Sequence, residues 1–206
     1  MNSAAKFKLA ILISGKGSNM RAIMEKCKEQ KIPANVSVVF SDKADAPGLK
    51  TAQEFGVDTL TFSPREFNSF DEYETRLADS LHKYNPDLII CAGYMRILKN
   101  TMLTKYKGKL INIHPSLLPA FPGLNAQKQA LEYGAQVSGC TIHFVDEGVD
   151  SGPVILQGVT RVEENDTVET LSEKISRLEH ELYWQAITKV LSGYTITGRK
   201  VIFTNP

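Results

Sequence analysis

The stretch Lys8–Met20, KLAILISGKGSNM, joins an apolar run to a glycine-containing turn and the start of an amphipathic segment. Lys8–Ile13 is predicted to be a buried strand, because its run Leu9–Ile13 is apolar and the segment ends at a Ser-Gly pair. Beyond the turn, apolar residues recur at the spacing of one helix face: Met20, Ile23, Met24 and Cys27. The stretch therefore predicts a strand, a tight turn and a helix, the unit from which α/β folds with a parallel sheet are built.

The same alternation of apolar and amphipathic segments continues to His114. Further strands are predicted at Val36–Ser41, Asp58–Phe62, Leu88–Ala92 and Leu110–His114. Helices are predicted at Leu49–Phe55 and at Leu98–Tyr106. Between them, a capping box at Ser69–Glu72 predicts the start of a helix that ends at about Tyr84. This pattern indicates an α/β fold: a doubly wound, mostly parallel twisted sheet with helices on both faces and a Rossmann-like N-terminal half.

The last third of the chain has a different pattern. Val137–Val145 alternates between apolar and polar residues, and Val154–Val162 follows after a short loop. Because that loop is too short for a crossover helix, at least one of these strands is expected to join the sheet antiparallel. A long helix from about Asp166 to Leu191 and a terminal hairpin over Tyr194–Phe203 complete the prediction. We expect one domain over residues 1–206, with halves of about 1–110 and 111–206.

The composition excludes several classes of protein. The 206 residues include 24 Lys and Arg against 23 Asp and Glu, a balance that argues against nucleic-acid binding because such binding needs a basic surface. The longest apolar run is far shorter than a membrane span, and Met1–Lys8 lacks the pattern of a secretory signal. Cys27, Cys91 and Cys140 are unclustered, which is typical of reduced thiols. We therefore expect a cytoplasmic protein without a membrane or nucleic-acid partner.

The loop Ser14–Asn19, SGKGSN, is the first candidate binding site. In a doubly wound sheet this loop faces the ligand crevice, and its glycines let backbone N–H groups approach an anion at the start of the helix. We predict a phosphate site with Ser18 or Asn19 capping the helix, and a simple tight turn with an N-cap is the alternative. The spacing departs from a dinucleotide fingerprint because Met20 stands at the third glycine position.

The second candidate is Asn112–Pro119, NIHPSLLP, at the end of the fifth predicted strand. Side chains alternate along a strand, so Asn112 and His114 are expected to point the same way. An amide donor beside an imidazole suits the stabilisation of an oxyanion and the transfer of a proton. The segment predicts a catalytic pair, and the alternative is two polar residues satisfied at the end of a strand.

The third candidate is an acidic loop with carboxylates at Asp146, Glu147 and Asp150. Their spacing does not match a calcium-binding loop, so we expect no metal. One of the three carboxylates is expected to orient His114 and favour its protonated form, and the spacing alone does not say which.

Two other polar residues lie beside predicted strands. His143 is predicted to be a structural strand histidine, hydrogen-bonded to the backbone, and the alternative is that it supports the catalytic residues. Arg96 follows the fourth predicted strand, in the segment GYMRIL at Gly93–Leu98. Its position is equally consistent with an anion contact and with a surface charge.

These segments, taken in order, resemble the folate-dependent formyltransferases. The matching stretches are SGKGSN at 14–19, AGYMRIL at 92–98, NIHPSLLP at 112–119 and HFVDEGVDSGPVI at 143–155. The resemblance covers roughly Lys8–Leu191, and SGKGSN is similar to the glycinamide ribonucleotide branch of that family.

The resemblance implies an enzyme that moves the formyl group of 10-formyltetrahydrofolate to the amine of 5-phosphoribosylglycinamide in purine biosynthesis, without a metal. It implies that the catalytic residues are Asn112, His114 and Asp150. The ribonucleotide-binding residues are then Gly17, Ser18, Asn19, Ser176, Arg177, Leu178 and Glu179. The implied folate-binding residues are Met95, Arg96, Ile97, Leu98, Asn112, Asp146, Glu147, Gly148, Val149 and Asp150.

Alternative functions stay open on the sequence. Within the family, a formyltetrahydrofolate deformylase would release formate, and outside it a nucleotide-binding oxidoreductase or an anion-binding regulatory module could share the fold. The expected partners are the two small-molecule substrates, and the protein is expected to be a monomer or a homodimer. Some members of the family carry an arginine near the position of Phe70, where it reaches the glutamate tail of folate, and Phe70 carries no charge.

Overall fold

The computed structural model describes residues 6–204. The chain forms two compact units, Met1–Ile111 and Asn112–Pro206. The prediction about a secretory signal concerns Met1–Lys8, most of which lies outside the described residues. The expectation of a single domain over residues 1–206 stays a prediction.

Strands and helices alternate in the first unit. Its elements are β1 (Phe7–Ile13), α1 (Ser18–Lys28), β2 (Ala34–Ser41), α2 (Pro47–Glu54), β3 (Asp58–Thr61), α3 (Phe70–His82), β4 (Leu88–Cys91) and α4 (Asn100–Lys105), and β5 (Leu110–His114) begins at its end. A short 3-10 helix at Pro64–Glu66 stands between β3 and α3. The strand order is β3-β2-β1-β4, and each neighbouring pair is parallel. The predicted α/β class is confirmed.

The position of β1 explains its composition. Every side chain from Leu9 to Ile13 is completely buried. A strand covered on both faces needs continuous apolar side chains, which this run supplies. The chain passes from β3 back to β4 on the other side of β1, so the strand order reverses between β1 and β4. At such a switch point the loops after the strands form a ligand crevice, and here these loops follow Ile13 and Cys91.

The second unit contains the end of β5 and a more mixed set of strands. Its other elements are α5 (Ala126–Tyr133), β6 (Val137–Phe144), β7 (Val154–Arg161), α6 (Val168–Leu191), β8 (Tyr194–Thr197) and β9 (Lys200–Phe203). β6 and β7 pair antiparallel, with Ile142 opposite Leu156, as their short connection predicts. β9 pairs parallel with β7 and antiparallel with β8, which confirms the terminal hairpin.

The long helix α6 packs closely on β7. A Cβ atom at Gly158 would lie 2.2 Å from Cδ1 of Leu182, so only glycine allows this approach without a shift. Leu171 and Ile175 on the same helix are buried, at 0% and 1% exposure. The apolar stripe of α6 therefore faces the sheet of the second unit, as a helix of a two-layer arrangement must.

Two local features differ from the sequence prediction. The helix α5 was not predicted, because only Ala126 and Ala130 are buried on it and such small side chains leave a weak apolar stripe. The capping box at the start of α3 is half formed. Ser69 Oγ accepts a hydrogen bond from the Glu72 N–H at 3.1 Å, but the Glu72 carboxylate accepts from the Asn68 N–H and not from that of Ser69.

Within residues 6–204, no helix is both long enough and apolar enough to span a membrane. In the same part of the chain, His, Cys, Asp and Glu side chains form no group of three that could hold a metal ion. The cysteines are buried thiols. Burial raises the pKa of Cys27 to about 11 and the pKa values of Cys91 and Cys140 to about 12, so all three stay protonated and weakly nucleophilic near neutral pH.

Candidate active site

The second unit brings Asn112, His114 and Asp150 together at the end of β5. Asn112 and His114 are two residues apart on this strand, so both side chains leave it on the same side. Nδ1 of His114 lies 3.1 Å from Oδ2 of Asp150, and Nδ2 of Asn112 lies 3.5 Å from Oδ1 of Asp150. The histidine and aspartate side chains are only 6% and 12% exposed. Of the carboxylates in the acidic loop, the one that contacts His114 is Asp150.

Both ring nitrogens of His114 face hydrogen-bond acceptors. Nε2 lies 2.8 Å from the carbonyl oxygen of Phe121, and Nδ1 faces the Asp150 carboxylate. A neutral imidazole carries one N–H and can donate to only one of these acceptors, whereas an imidazolium donates to both. These two acceptors fix the orientation of the ring beside Asn112, where it can take part in proton transfer.

The loop after β5 folds back over this histidine–aspartate pair. Phe121 supplies the carbonyl that faces His114, and the N–H of Gly123 donates to Oδ2 of Asp150 at 2.8 Å. Phe121 and Asp150 both have left-handed backbone, with φ of 53° and 51°. Such backbone costs a non-glycine residue about 1–3 kcal/mol and persists where the surroundings hold it, commonly at functional sites.

His143 on β6 joins the cluster through its second ring nitrogen. Its Nδ1 lies 2.8 Å from the carbonyl oxygen of Phe144, which agrees with the predicted backbone bond. Its Nε2, however, lies 3.4 Å from Nδ2 of Asn112 and 3.7 Å from Oδ1 of Asp150. Burial lowers the pKa of His143, so the ring is neutral near pH 7 and Nε2 accepts a hydrogen bond from Asn112. The sequence showed only the backbone contact; the available signal was the position of His143 near the end of a strand beside the acidic loop.

The amide nitrogen of Asn112 faces two acceptors. Nδ2 of Asn112, Nε2 of His143 and Oδ1 of Asp150 form a nearly equilateral triangle with sides of 3.4, 3.5 and 3.7 Å. The angle at Nδ2 is thus about 65°, whereas the two N–H bonds of a planar amide diverge by about 120°. The His143 and Asp150 acceptors therefore both lie on one side of the Asn112 amide nitrogen.

Thr141 and Gln157 hold the backbone of the loop after β5. Thr141 Oγ1 donates to the carbonyl of Ser116 at 2.7 Å and accepts from the Leu118 N–H at 3.0 Å. Gln157 Nε2 donates to Thr141 Oγ1 at 2.9 Å and to the Leu118 carbonyl at 3.0 Å. Sequence reasoning missed both residues. The signal for Thr141 was a polar side chain in a buried strand, where a hydroxyl must have partners. Gln157 is exposed and offered no such signal.

The other members of the acidic loop lie elsewhere. Asp146 accepts hydrogen bonds from the Ser151 hydroxyl at 2.6 Å and from the Gly148 N–H at 3.2 Å, so its carboxylate braces its own loop. Glu147, Gly148 and Val149 are exposed. Because Val149 is an apolar side chain with 53% of its surface in solvent, the loop offers an apolar contact to a ligand in addition to its charges.

The glycine loop of the first unit ends in an unusual helix cap. The N-cap of α1 is Gly17, with φ of 71°, and no side chain caps the helix. The prediction that Ser18 or Asn19 caps it is wrong, because left-handed backbone at Gly17 turns the chain directly into the helix. A Cβ at Gly17 would lie 3.0 Å from Met20 Cε and 3.3 Å from Gly48 Cα, so glycine is required there. The N–H groups at the start of a helix without a side-chain cap are the donors that bind anions.

The segment Met95–Leu98 follows β4 in the first unit. Met95 and Ile97 are 65% and 59% exposed, whereas Leu98 is buried at 4%. Nε of Arg96 donates to Oδ2 of Asp42 at 2.7 Å, and this hydrogen bond raises the pKa of Arg96. Arg96 is thus neither a simple surface charge nor, in this structure, an isolated cation. Two exposed apolar side chains therefore flank Arg96.

The segment Ser176–Glu179 lies within α6 of the second unit. Ser176 and Glu179 are three residues apart and share a helix face. Both are half-buried, as is Leu178. Arg177 points into solvent, with 81% of its side chain exposed and a 3.9 Å ion pair to Glu173. Among the predicted ribonucleotide-binding residues of α6, Ser176 and Glu179 are therefore less exposed to solvent than Arg177.

Phe70 occupies an aromatic and cationic environment. Its ring packs against Tyr73 with centroids 5.5 Å apart, and Nζ of Lys99 lies 4.9 Å from its centroid. A cation over an aromatic face is a favourable contact. A positive charge is therefore present beside Phe70 although the residue itself carries none.

Comparison with known proteins identifies the family to which this chain belongs. Residues 7–187 match the family model described as formyl transferase. Because this match extends over most of the sequence, the chain belongs to the formyl transferase family.

Particular relatives narrow the resemblance further. The chain is 40% identical over 193 residues to phosphoribosylglycinamide formyltransferase of Bacillus subtilis, covering 94% of this chain and 98% of that protein. The enzyme of the same name from Escherichia coli is 43% identical over 185 residues, covering 90% and 87%. The crystal structure of glycinamide ribonucleotide transformylase 1 from Symbiobacterium toebii superposes with a TM-score of 0.95 at 47% identity, covering 98% of this chain and 95% of that one.

Proposed function

We propose that this protein is a transferase that moves the formyl group of 10-formyltetrahydrofolate to the amine of 5-phosphoribosylglycinamide. The products are formylglycinamide ribonucleotide and tetrahydrofolate, in purine biosynthesis. The observation that carries the proposal is the contact of Asp150 with His114 beside Asn112, in a chain of the formyl transferase family. The relatives named phosphoribosylglycinamide formyltransferase support this function over a deformylase or an oxidoreductase.

The reaction needs charge stabilisation and two proton transfers. The neutral amine attacks the formyl carbon, a C–N bond forms, and the carbonyl π electrons move to oxygen. The tetrahedral intermediate then collapses: the bond to the folate nitrogen breaks, its electron pair stays on that nitrogen, and the nitrogen takes up a proton. The attacking amine loses a proton in the same sequence. No covalent bond to the enzyme is required.

The three clustered residues suit these steps. The Asn112 amide makes only long contacts of 3.4 and 3.5 Å with its neighbours and would donate to the oxyanion, and such a donor is worth about 3–4 kcal/mol in comparable sites. Protonated His114 adds a second, charged donor and is the candidate to pass a proton to the departing nitrogen. Asp150 would orient that ring through the contact with Nδ1.

The binding residues are assigned by their chemistry. Gly17, Ser18 and Asn19 would hold the substrate phosphate at the start of α1, where backbone donors and the helix dipole favour an anion. Contacts to the ribonucleotide would also come from Ser176, Arg177, Leu178 and Glu179, and Glu179 would be the principal one. Folate would be held by Met95, Arg96, Ile97, Leu98 and Asn112 together with the loop from Asp146 to Asp150. No step of this reaction requires a metal.

The decisive experiment is an assay with the purified protein and 10-formyltetrahydrofolate. We expect tetrahydrofolate and a formylated ribonucleotide to form together, and only when 5-phosphoribosylglycinamide is supplied. Release of formate without the ribonucleotide would instead identify a deformylase, and hydride exchange with a nicotinamide nucleotide would identify an oxidoreductase. A His114→Asn variant, which removes the proton donor and keeps a polar side chain, should lose about 10²–10⁴-fold in kcat.

A further inference from the structure

In the first unit, a single buried carboxylate connects the ends of three strands. Asp42 directly follows β2, and its side chain is only 1% exposed. Oδ1 accepts a hydrogen bond from the hydroxyl of Ser14, the residue after β1, at 2.6 Å. Oδ2 accepts from Nε of Arg96, in the segment after β4, at 2.7 Å. A buried carboxylate is costly without partners, and here each oxygen has one.

Ser14 extends this connection to the main chain. Its hydroxyl accepts a hydrogen bond from the Met95 N–H at 2.9 Å while it donates to Asp42. Its own backbone N–H donates to the Gly93 carbonyl at 3.0 Å. Asp42 therefore restrains the segment after β4 twice, through the Arg96 side chain and, by way of Ser14, through the Met95 backbone.

The geometry leaves the outer part of Arg96 available for a ligand. Asp42 engages the guanidinium at Nε, and 43% of the Arg96 side chain is in solvent. A guanidinium has five N–H donors in a rigid plane, so one bond at Nε orients the others without using them. A flexible side chain held in this way loses less entropy when it binds a ligand.

We infer that Asp42 is a positioning residue for the folate-binding segment Met95–Leu98. It holds the Arg96 guanidinium and the Met95 backbone in the arrangement that receives the co-substrate, and it does not itself touch the reacting atoms. The inference rests on the proposed function, because it takes Met95–Leu98 as part of the folate site.

The test is the Asp42→Asn variant in a steady-state assay with both substrates varied. An amide has one acceptor oxygen in place of two and carries no charge. It can therefore accept the hydrogen bond from Ser14 or the one from Arg96, but not both on separate oxygens as in the parent. We expect the KM for 10-formyltetrahydrofolate to rise about tenfold, with kcat and the KM for the ribonucleotide within about twofold of the parent. Asp79→Asn is the matched control, because Asp79 forms an ion pair of the same 2.7 Å length with Lys105 but is 61% exposed. That control should leave all three constants unchanged.

A double-mutant cycle separates positioning from general damage. If Asp42 acts through Arg96 and the Met95 backbone, adding Asp42→Asn to Arg96→Gln should raise the folate KM by a clearly smaller factor than Asp42→Asn does in the parent, because only the Met95 restraint is then left to lose. Fully multiplicative effects of the two substitutions would overturn the inference, as would an equal rise in both KM values for Asp42→Asn alone. If Asp42→Asn does not fold, Ser14→Ala removes the second restraint instead and should raise the folate KM while leaving the Arg96 ion pair in place.

Hydrogen exchange supplies a measurement that does not depend on the reaction. In the protein without substrates, the Met95 amide should exchange at least about tenfold faster in Asp42→Asn than in the parent, with buried amides of α3 such as Leu77 unchanged. An unchanged Met95 rate would overturn the inference even in an active enzyme. Conversely, the parent protein could transfer no formyl group while the Met95 amide still exchanges faster in Asp42→Asn than in the parent. That result would contradict the proposed function and leave the restraint by Asp42 intact.

Discussion

Nδ1 of His114 lies 3.1 Å from Oδ2 of Asp150, and the same oxygen accepts the Gly123 N–H at 2.8 Å. The other oxygen, Oδ1, faces Asn112 and His143 at 3.5 and 3.7 Å. One carboxylate thus holds an imidazole, an amide and the loop after β5 in a single arrangement. Groups that share a partner act as a unit, so substitutions among them should not be additive.

Asp150→Asn should lower kcat by about 10²–10⁴-fold, while both substrates still bind with KM values within a few-fold of the parent. The physical reason is that the amide leaves His114 with a neutral partner at Nδ1, so the contact that orients the ring is weakened. Steady-state kinetics and ¹⁵N NMR of the His114 ring at neutral pH measure the two effects. Glu164→Gln, an exposed carboxylate in the same unit, is the control. An unchanged ring spectrum would remove Asp150 from this role and direct attention to Asp146 or Glu147.

Asn112→Ala should lower kcat by about 10²–10³-fold through loss of an oxyanion donor. Its effect on the KM values should be small, because the donor matters most when charge develops on the formyl oxygen. Asn165→Ala removes the same side chain at an exposed position and should leave kcat at the parent value. A large rise in the folate KM with an intact kcat would show that Asn112 binds the ground state instead.

Ser18→Ala and Asn19→Ala should raise the KM for the ribonucleotide more than the KM for 10-formyltetrahydrofolate. The reason is that α1 begins at Gly17 without a side-chain cap, which leaves its first turn suited to an anion. Each variant should be assayed with one substrate saturating and the other varied. Equal rises in both KM values would indicate damage to the fold, and a substrate-soaked crystal with the phosphate elsewhere would end the idea.

The stability of the protein should fall as the pH drops below 6.5, in part because of His143. Burial lowers the pKa of this ring from its ordinary value of 6.5, so the unfolded chain takes up a proton at a higher pH than the folded chain does. Stability is therefore gained as the pH rises through the window between the lowered value and 6.5, and is lost as the pH falls through it. Thermal unfolding between pH 5 and 7 should show a shallower dependence for His143→Gln than for the parent. Parallel curves would mean that the ring titrates equally in both states.

Glu74→Gln should lower the free energy of unfolding by about 1–3 kcal/mol. Glu74, on α3, is 1% exposed, and its carboxylate accepts from the N–H groups of Lys99, Thr101 and Met102 at the start of α4. No side chain within α4 itself provides that cap. Urea unfolding measures the effect, with Glu25→Gln on the exposed face of α1 as the control. Equal midpoints for the two variants would refute the cap.

The sequence was most informative where one local pattern decides the outcome. The apolar run at Leu9–Ile13 requires a strand buried on both faces, and the short connection between Val137–Val145 and Val154–Val162 requires an antiparallel pair. The polar residues Asn112 and His114 could be assigned to one side of a strand because the alternation of side chains is a property of the backbone. The sequence was least informative at α5, because the buried residues of this helix are small alanines.

By itself, the sequence determined the α/β class, most helices and strands, and the short segments in which binding and catalytic residues are expected. Only the tertiary structure decided which carboxylate faces His114, that His143 accepts from Asn112, and that Gly17 caps α1. The physical reason is distance along the chain. Secondary structure follows from neighbours a few residues apart, whereas Asn112 and Asp150 are separated by 38 residues and meet only through the exact path of the loops between them.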